Sequence, residues 1–115
     1  MPHVIRAGHA NLAAAWRDLP KGPWHWGSIV ARAEGCFLGA DGATLLVAGV
    51  VVEYGRPLHV VVLVSLGRQG TSIHLWSAAP VERTDGVKRF LAQVAHEMAA
   101  FGAGSVITTN IPDLL

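Results

Sequence analysis

The sequence predicts one α/β domain over residues 1–115: an antiparallel meander followed by a strand–helix–strand unit with parallel strands. Three observations carry this. Two Val-rich runs, ATLLVAGVVVEY and LHVVVLVSL, flank Gly55-Arg56-Pro57, the pattern of a β-hairpin. Across residues 85–101, Val87, Phe90, Leu91, Val94, Ala95, Met98 and Phe101 recur at helical spacing on one face. Residues 105–109 then read as a strand, and a strand, crossover helix and strand favour parallel pairing with a right-handed crossover.

The elements follow in order. Val4 and Ile5 begin a short strand. A helix is expected over residues 10–18, with Leu12, Trp16 and Leu19 on one face and Pro20, Gly22 and Pro23 ending it. PKGPWHWG reads as a loop. Residues 28–34 fit either a short helix or a strand, and 36–39 look extended before the Asp41-Gly42 turn. Strands are expected over 43–54 and 58–66, with a turn at 55–57 between them. GRQG turns the chain again, and 72–78 form the last meander strand. Thr84 or Asp85 can cap the long helix, and Gly102 or Gly104 can end it.

Composition narrows the function classes. The chain is 51% hydrophobic and 15% charged, with formal net charge +1 and no basic run. The electrostatic footprint of a nucleic-acid binder is therefore missing. The apolar excess suits a core and, beyond it, a surface for a protein partner or for self-association. The only long apolar segment is interrupted by Glu53, Arg56 and Pro57, so no membrane helix is expected. The start of the chain lacks the apolar core of a signal peptide, and the single Cys36 suits a reducing compartment. A cytoplasmic location is the resulting expectation. The six histidines form no close ligand pair, so no metal site is expected.

The stretch Arg83-Thr84-Asp85-Gly86-Val87-Lys88 adds a motif to this order of elements. From Val4 to Asn110 the chain resembles the GNAT acyltransferase superfamily, whose cofactor motif is Arg or Gln, two residues, Gly, one residue, then Gly or Ala. Arg83 and Gly86 match; Lys88 departs at the third fixed position. LWSAAP precedes the motif like that family's fourth strand, and FLAQVAHEMAAFGAGSVITTN follows like its third helix and fifth strand. One meander strand, either 36–39 or 58–66, is extra relative to the simplest layout.

The resemblance implies acetyl-CoA as cofactor, held by Trp76, Ser77, Ala78 and the segment Arg83, Thr84, Asp85, Gly86, Val87, Lys88 and Arg89. Backbone N–H groups at a helix start would face the pyrophosphate, and Gly86 would leave room for its approach. The plainer reading is a capped helix entrance with solvated Lys88 and Arg89, and both readings stand. The resemblance also implies a GNAT-like fold lacking the usual C-terminal helix and strands, which help form the acceptor site. The run IHLWSAAPVERTDGVKRFL is similar to the corresponding segment of GNAT-like bacteriophage proteins, some of them virion-associated; a phage-encoded protein of this kind would be expected in the virion.

Acyl transfer to an amine needs a base. Glu53 and His74 are the weak catalytic candidates; their plainer readings are a solvent-facing strand end and a partly buried structural histidine. Trp24 and Trp26 could anchor a protein interface or tuck over the core. Three functions follow: a GNAT-like accessory or assembly protein with little or no transferase activity, an acetyl-CoA-dependent N-acetyltransferase, or an unrelated small α/β interaction domain. The enzyme needs an open cleft between the strands at Trp76 and Val106, with free N–H groups near Gly86.

Overall fold

A computed structural model describes residues Met1–Leu115. Strand β1 (His3–Arg6) leads to helix α1 (Leu12–Asp18) and a meander of β2 (Trp24–Trp26), β3 (Ile29–Leu38), β4 (Thr44–Glu53), β5 (Arg56–Leu66) and β6 (Thr71–Leu75). Helix α2 (Asp85–Glu97) follows and tightens into a 3₁₀ turn (Met98–Phe101) before β7 (Val106–Thr109) and a last 3₁₀ turn (Pro112–Leu114). The seven strands form one curled sheet in the order β2-β3-β4-β5-β6-β1-β7, and every neighbouring pair is antiparallel.

The α/β class and the central meander agree with the sequence reading. The parallel unit needs correction. β6 and β7 run in the same direction but are not paired, because β1 lies between them and is antiparallel to both. The first strand of the chain thus occupies the place where a cleft between Trp76 and Val106 was expected. Val4, with no exposed surface, stands opposite Ile73 on one side and Thr109 on the other.

Three local corrections have simple causes. PKGPWHWG contains a strand: Trp24, His25 and Trp26 pair with Ala31, Val30 and Ile29. All but the outermost residues of 28–34 and 36–39 belong to one strand, β3, and the register shift between Ala33 and Gly35 breaks the alternation that would have joined them. The last meander strand ends at Leu75, so Trp76, Ser77 and Ala78 lie in the turn beyond it.

The β4–β5 connection is a two-residue turn, Tyr54-Gly55, closed by the Glu53–Arg56 pair. Both turn residues have positive φ, 52° and 74°, as a hairpin of this length requires. Alternation along β4 sends Leu45, Val47, Gly49, Val51 and Glu53 to the helix side. Val60, Val62 and Val64 of β5 join them.

Helix α2 lies across that face. Val87, Phe90, Leu91, Val94 and Ala95 are buried, as their spacing predicts. Asn11 caps α1, its side chain accepting from the Ala14 N–H. Leu12, Ala15 and Leu19 are the buried residues of this segment. Trp16, expected among them, is 47% exposed and donates its indole N–H to the Cys36 carbonyl at 3.1 Å. No helix is long and apolar enough to cross a membrane.

Candidate functional site

The start of α2 is built by two contributions, one local and one from a distant part of the chain. Thr84, extended at φ −75° and ψ 169°, is the N-cap, and its hydroxyl accepts from the Val87 N–H at 3.2 Å. The Lys88 N–H bonds the Thr84 carbonyl at 3.0 Å. The Gly86 N–H donates to Oε1 of Glu53 at 2.9 Å. Helix starts favour an anion because these N–H groups lack partners within the helix and carry the positive end of its dipole. Here the anion position facing Gly86 is filled from within the chain, by the carboxylate at the end of β4.

The fit is close. A Cβ on Gly86 would stand 2.6 Å from Cγ1 of Val51 and 2.8 Å from Cδ of Glu53. Gly86 is therefore required, but for its approach to β4. Glu53 is 6% exposed, which corrects its reading as a solvent-facing strand end. Its parity explains this: it follows Leu45, Val47, Gly49 and Val51 on the helix side. Its Oε2 is buried without a hydrogen-bond partner, so the helix start is the only group that compensates the desolvated carboxylate. Replacing Glu53 with Ala should cost about 1–3 kcal/mol by leaving the Gly86 N–H unpaired. Glu53→Gln, which keeps an acceptor there, should cost less. Urea unfolding of the two variants measures the difference, and an Ala variant as stable as the parent would remove Glu53 from the cap.

The remaining motif residues lie outside this contact. Asp85 and Arg89 form an i,i+4 ion pair at 2.8 Å. Arg56 holds Glu82 at 2.7 Å on the surface. Arg83 is exposed and Lys88 half-buried, and neither is in an ion pair. A hollow of about 230 Å³ brings Trp76, Ser77 and Arg83 together with Met1 and Pro80. A second, of about 190 Å³, shares Met1 and Arg83 and adds Lys88 and Asn110. Ala78 is exposed in the adjoining turn. These hollows gather several residues of the expected cofactor segment, but neither is lined by Gly86 or Glu53.

The other candidates are dispersed. His74 points away from the helices, opposite Leu63 on β5 and His3 on β1. Burial, and behind it the positive charge of His3, lower its pKa below the ordinary 6.5 and favour the neutral ring. Trp24 and Trp26 are half-buried and pack against the core, Trp24 meeting Phe90 edge-on with ring centroids 6.2 Å apart. No three His, Cys, Asp or Glu side chains are grouped so as to hold a metal.

The sequence named Glu53 and Gly86 separately and missed their contact. The signal was the strict alternation of ATLLVAGVVVE, which places Glu53 on the same side as the core valines. Comparison with protein families, with characterised proteins and with solved structures found no match.

Proposed function

We propose that this protein is an accessory or assembly protein that works through its surface, with little or no transferase activity. One observation carries the reading: the carboxylate of Glu53 occupies the anion position at the α2 start, where an acyl-CoA pyrophosphate would have to lie. A second anion there would face a buried carboxylate, and the Gly86, Val87 and Lys88 N–H groups are already bonded within the chain. The place of β1 between β6 and β7 supports the same reading, since it fills the gap a pantetheine arm would enter. The GNAT resemblance then extends to the order of the central elements and not to use of the cofactor.

A second reading, an acetyl-CoA-dependent N-acetyltransferase, draws on the hollows that gather Trp76, Ser77, Arg83 and Lys88. Calorimetry with acetyl-CoA at millimolar concentration separates the two. The expected result is no binding heat. Saturable binding that Arg83→Glu and Lys88→Glu abolish would overturn the assembly reading.

A further inference from the structure

The helices cover one face of the sheet only; both pack into the single core on that side. The alternate residues of every central strand therefore point to a face with no second layer. On β4 these are Leu46, Ala48, Val50 and Val52, all half-buried. Val61 and Leu63 of β5 stand opposite Ala48 and Leu46. Val30 and Phe37 of β3 stand opposite Val52 and Leu46. Arg32 is the one charged residue that the β3 and β4 registers place in this field, and Glu34 lies 3.6 Å from it. A sheet face that meets only water normally alternates to polar residues; over β3, β4 and the middle of β5 this one stays largely apolar, while Thr44, His59, Ser65, Ser72 and His74 are the polar outward residues around that centre.

Its relief is uneven in a specific way. Phe37, 62% exposed, projects at one end of β3. Toward the other end of the same strand lies a mostly apolar hollow of about 460 Å³, lined by Pro23, Val30, Ala31, Val50 and Val52 and bordered by Arg32. Ala48, the smallest of the β4 side chains here, sits between knob and hollow. A two-fold axis lying in the plane of contact and crossing the strands near Ala48 exchanges the two ends of β3. It sets the Phe37 ring of each copy over the hollow of the other. Self-complementarity of this kind is what an isologous interface requires, and the two sheets then stack with strands nearly aligned.

The size suffices. At about 4.8 Å between strands and about 6.7 Å between outward residues, the outward positions of β3 to β6 span on the order of 500 Å² per copy. Two copies would bury about 1,000 Å², the threshold for a specific interface, before side-chain relief adds to it. An apolar centre of Val, Leu and Ala, with Arg32 beside it and polar residues toward its edges, has the make-up of a protein interface.

We propose that this face is the interface of a homodimer, in which Phe37 of each copy fills the hollow at Val30, Val50 and Val52 of the other. The proposal rests on the assembly reading above and names its partner as a second copy of the chain.

Sedimentation of the full chain over a concentration series tests it. The parent is expected to sediment at twice the 12.2 kDa chain mass at micromolar concentration. Phe37→Ala should weaken association about 30-fold or more, the effect of losing an aromatic anchor seated in a partner's hollow. Ala48→Arg and Val50→Arg, which charge the axis and the hollow, should leave monomers with the parent's circular dichroism. Ile107→Lys, on the exposed edge strand β7, should leave the dimer intact.

A parent that is monomeric at about 100 μM overturns the proposal. So does a dimer that resists all three face variants, or one that Ile107→Lys alone dissociates. A monomer that floats with phosphatidylcholine vesicles through Phe37 would assign the face to a lipid surface and overturn it as well. A monomer that also fails to bind acetyl-CoA sinks the dimer and leaves the assembly reading standing. A dimer that binds acetyl-CoA does the reverse.

Discussion

Gly86→Trp should leave the protein without a cooperative unfolding transition. Even the first added carbon collides with Val51 and Glu53, at 2.6 and 2.8 Å. Gly86 is buried between the α2 backbone and β4, so an indole there has no route to solvent. Overpacking by a single methylene costs about 1–3 kcal/mol, so Gly86→Ala should lose about that much. The indole must push the helix start off the sheet. Glu53 then loses its only partner and the Gly86 N–H is orphaned, each at about 1–3 kcal/mol. Against a total stability of about 5–15 kcal/mol, little remains. Thermal unfolding followed by circular dichroism reads both variants. A Gly86→Trp protein that melts like the parent would mean that the helix start does not rest on β4. The substitution therefore probes the fold and not a cofactor, and the more accessible Arg83 and Lys88 are the positions that test binding.

Phe90→Ala should destabilise the protein by about 3–5 kcal/mol, the usual cost of emptying a core site of this size. Phe90 has no exposed surface, lies beneath Gly49 on β4 and receives the edge of Trp24. Its ring and the Arg32 carbonyl together leave Gly49 no room for a side chain: a Cβ there would come within 2.5 Å of the ring and 2.7 Å of the carbonyl oxygen. The melting midpoint should fall by roughly 12–20 °C, taking about 4 °C per kcal/mol for a domain of this length. The pair also couples. Gly49→Ala in the Phe90→Ala background should cost less than in the parent, because one of its two collisions is gone. A fall of under about 1 kcal/mol for Phe90→Ala would show that the ring is not the centre of the core.

How far these sites could be read from the sequence depended on the range of the interaction. Helix α2 was legible because its buried residues repeat within one element. The β4–β5 hairpin was legible because its turn is local. β2 was not: three residues of Trp-His-Trp beside two prolines carry no period, and only pairing with β3 makes them a strand. β3 was split in two because the bulge at Glu34 shifts the alternation midway. The position of β1 was beyond local reasoning, since nothing in Val4 or Ile5 marks which strands they will join. The candidate site failed for the same reason. Arg83 and Gly86 lie within a short motif that reads as an anion cradle by itself, and the group that fills the cradle comes from 33 positions away.

The place of β1 also bears on how the molecule comes together in time. Val4 pairs with Ile73 on one side and with Thr109 on the other. Strand β1 therefore waits for β7, far along the chain, before its second edge is satisfied. Contacts so distant carry a large loop-closure cost and slow a fold dominated by them. During synthesis the meander from β2 to β6 can assemble while β7 is still inside the ribosome. β1 can then dock on β6 and offer its free edge, and the emerging β7 closes the sheet. Strand β1 thus acts as a latch between two distant parts of the chain, and β7 completes the sheet that β1 prepares.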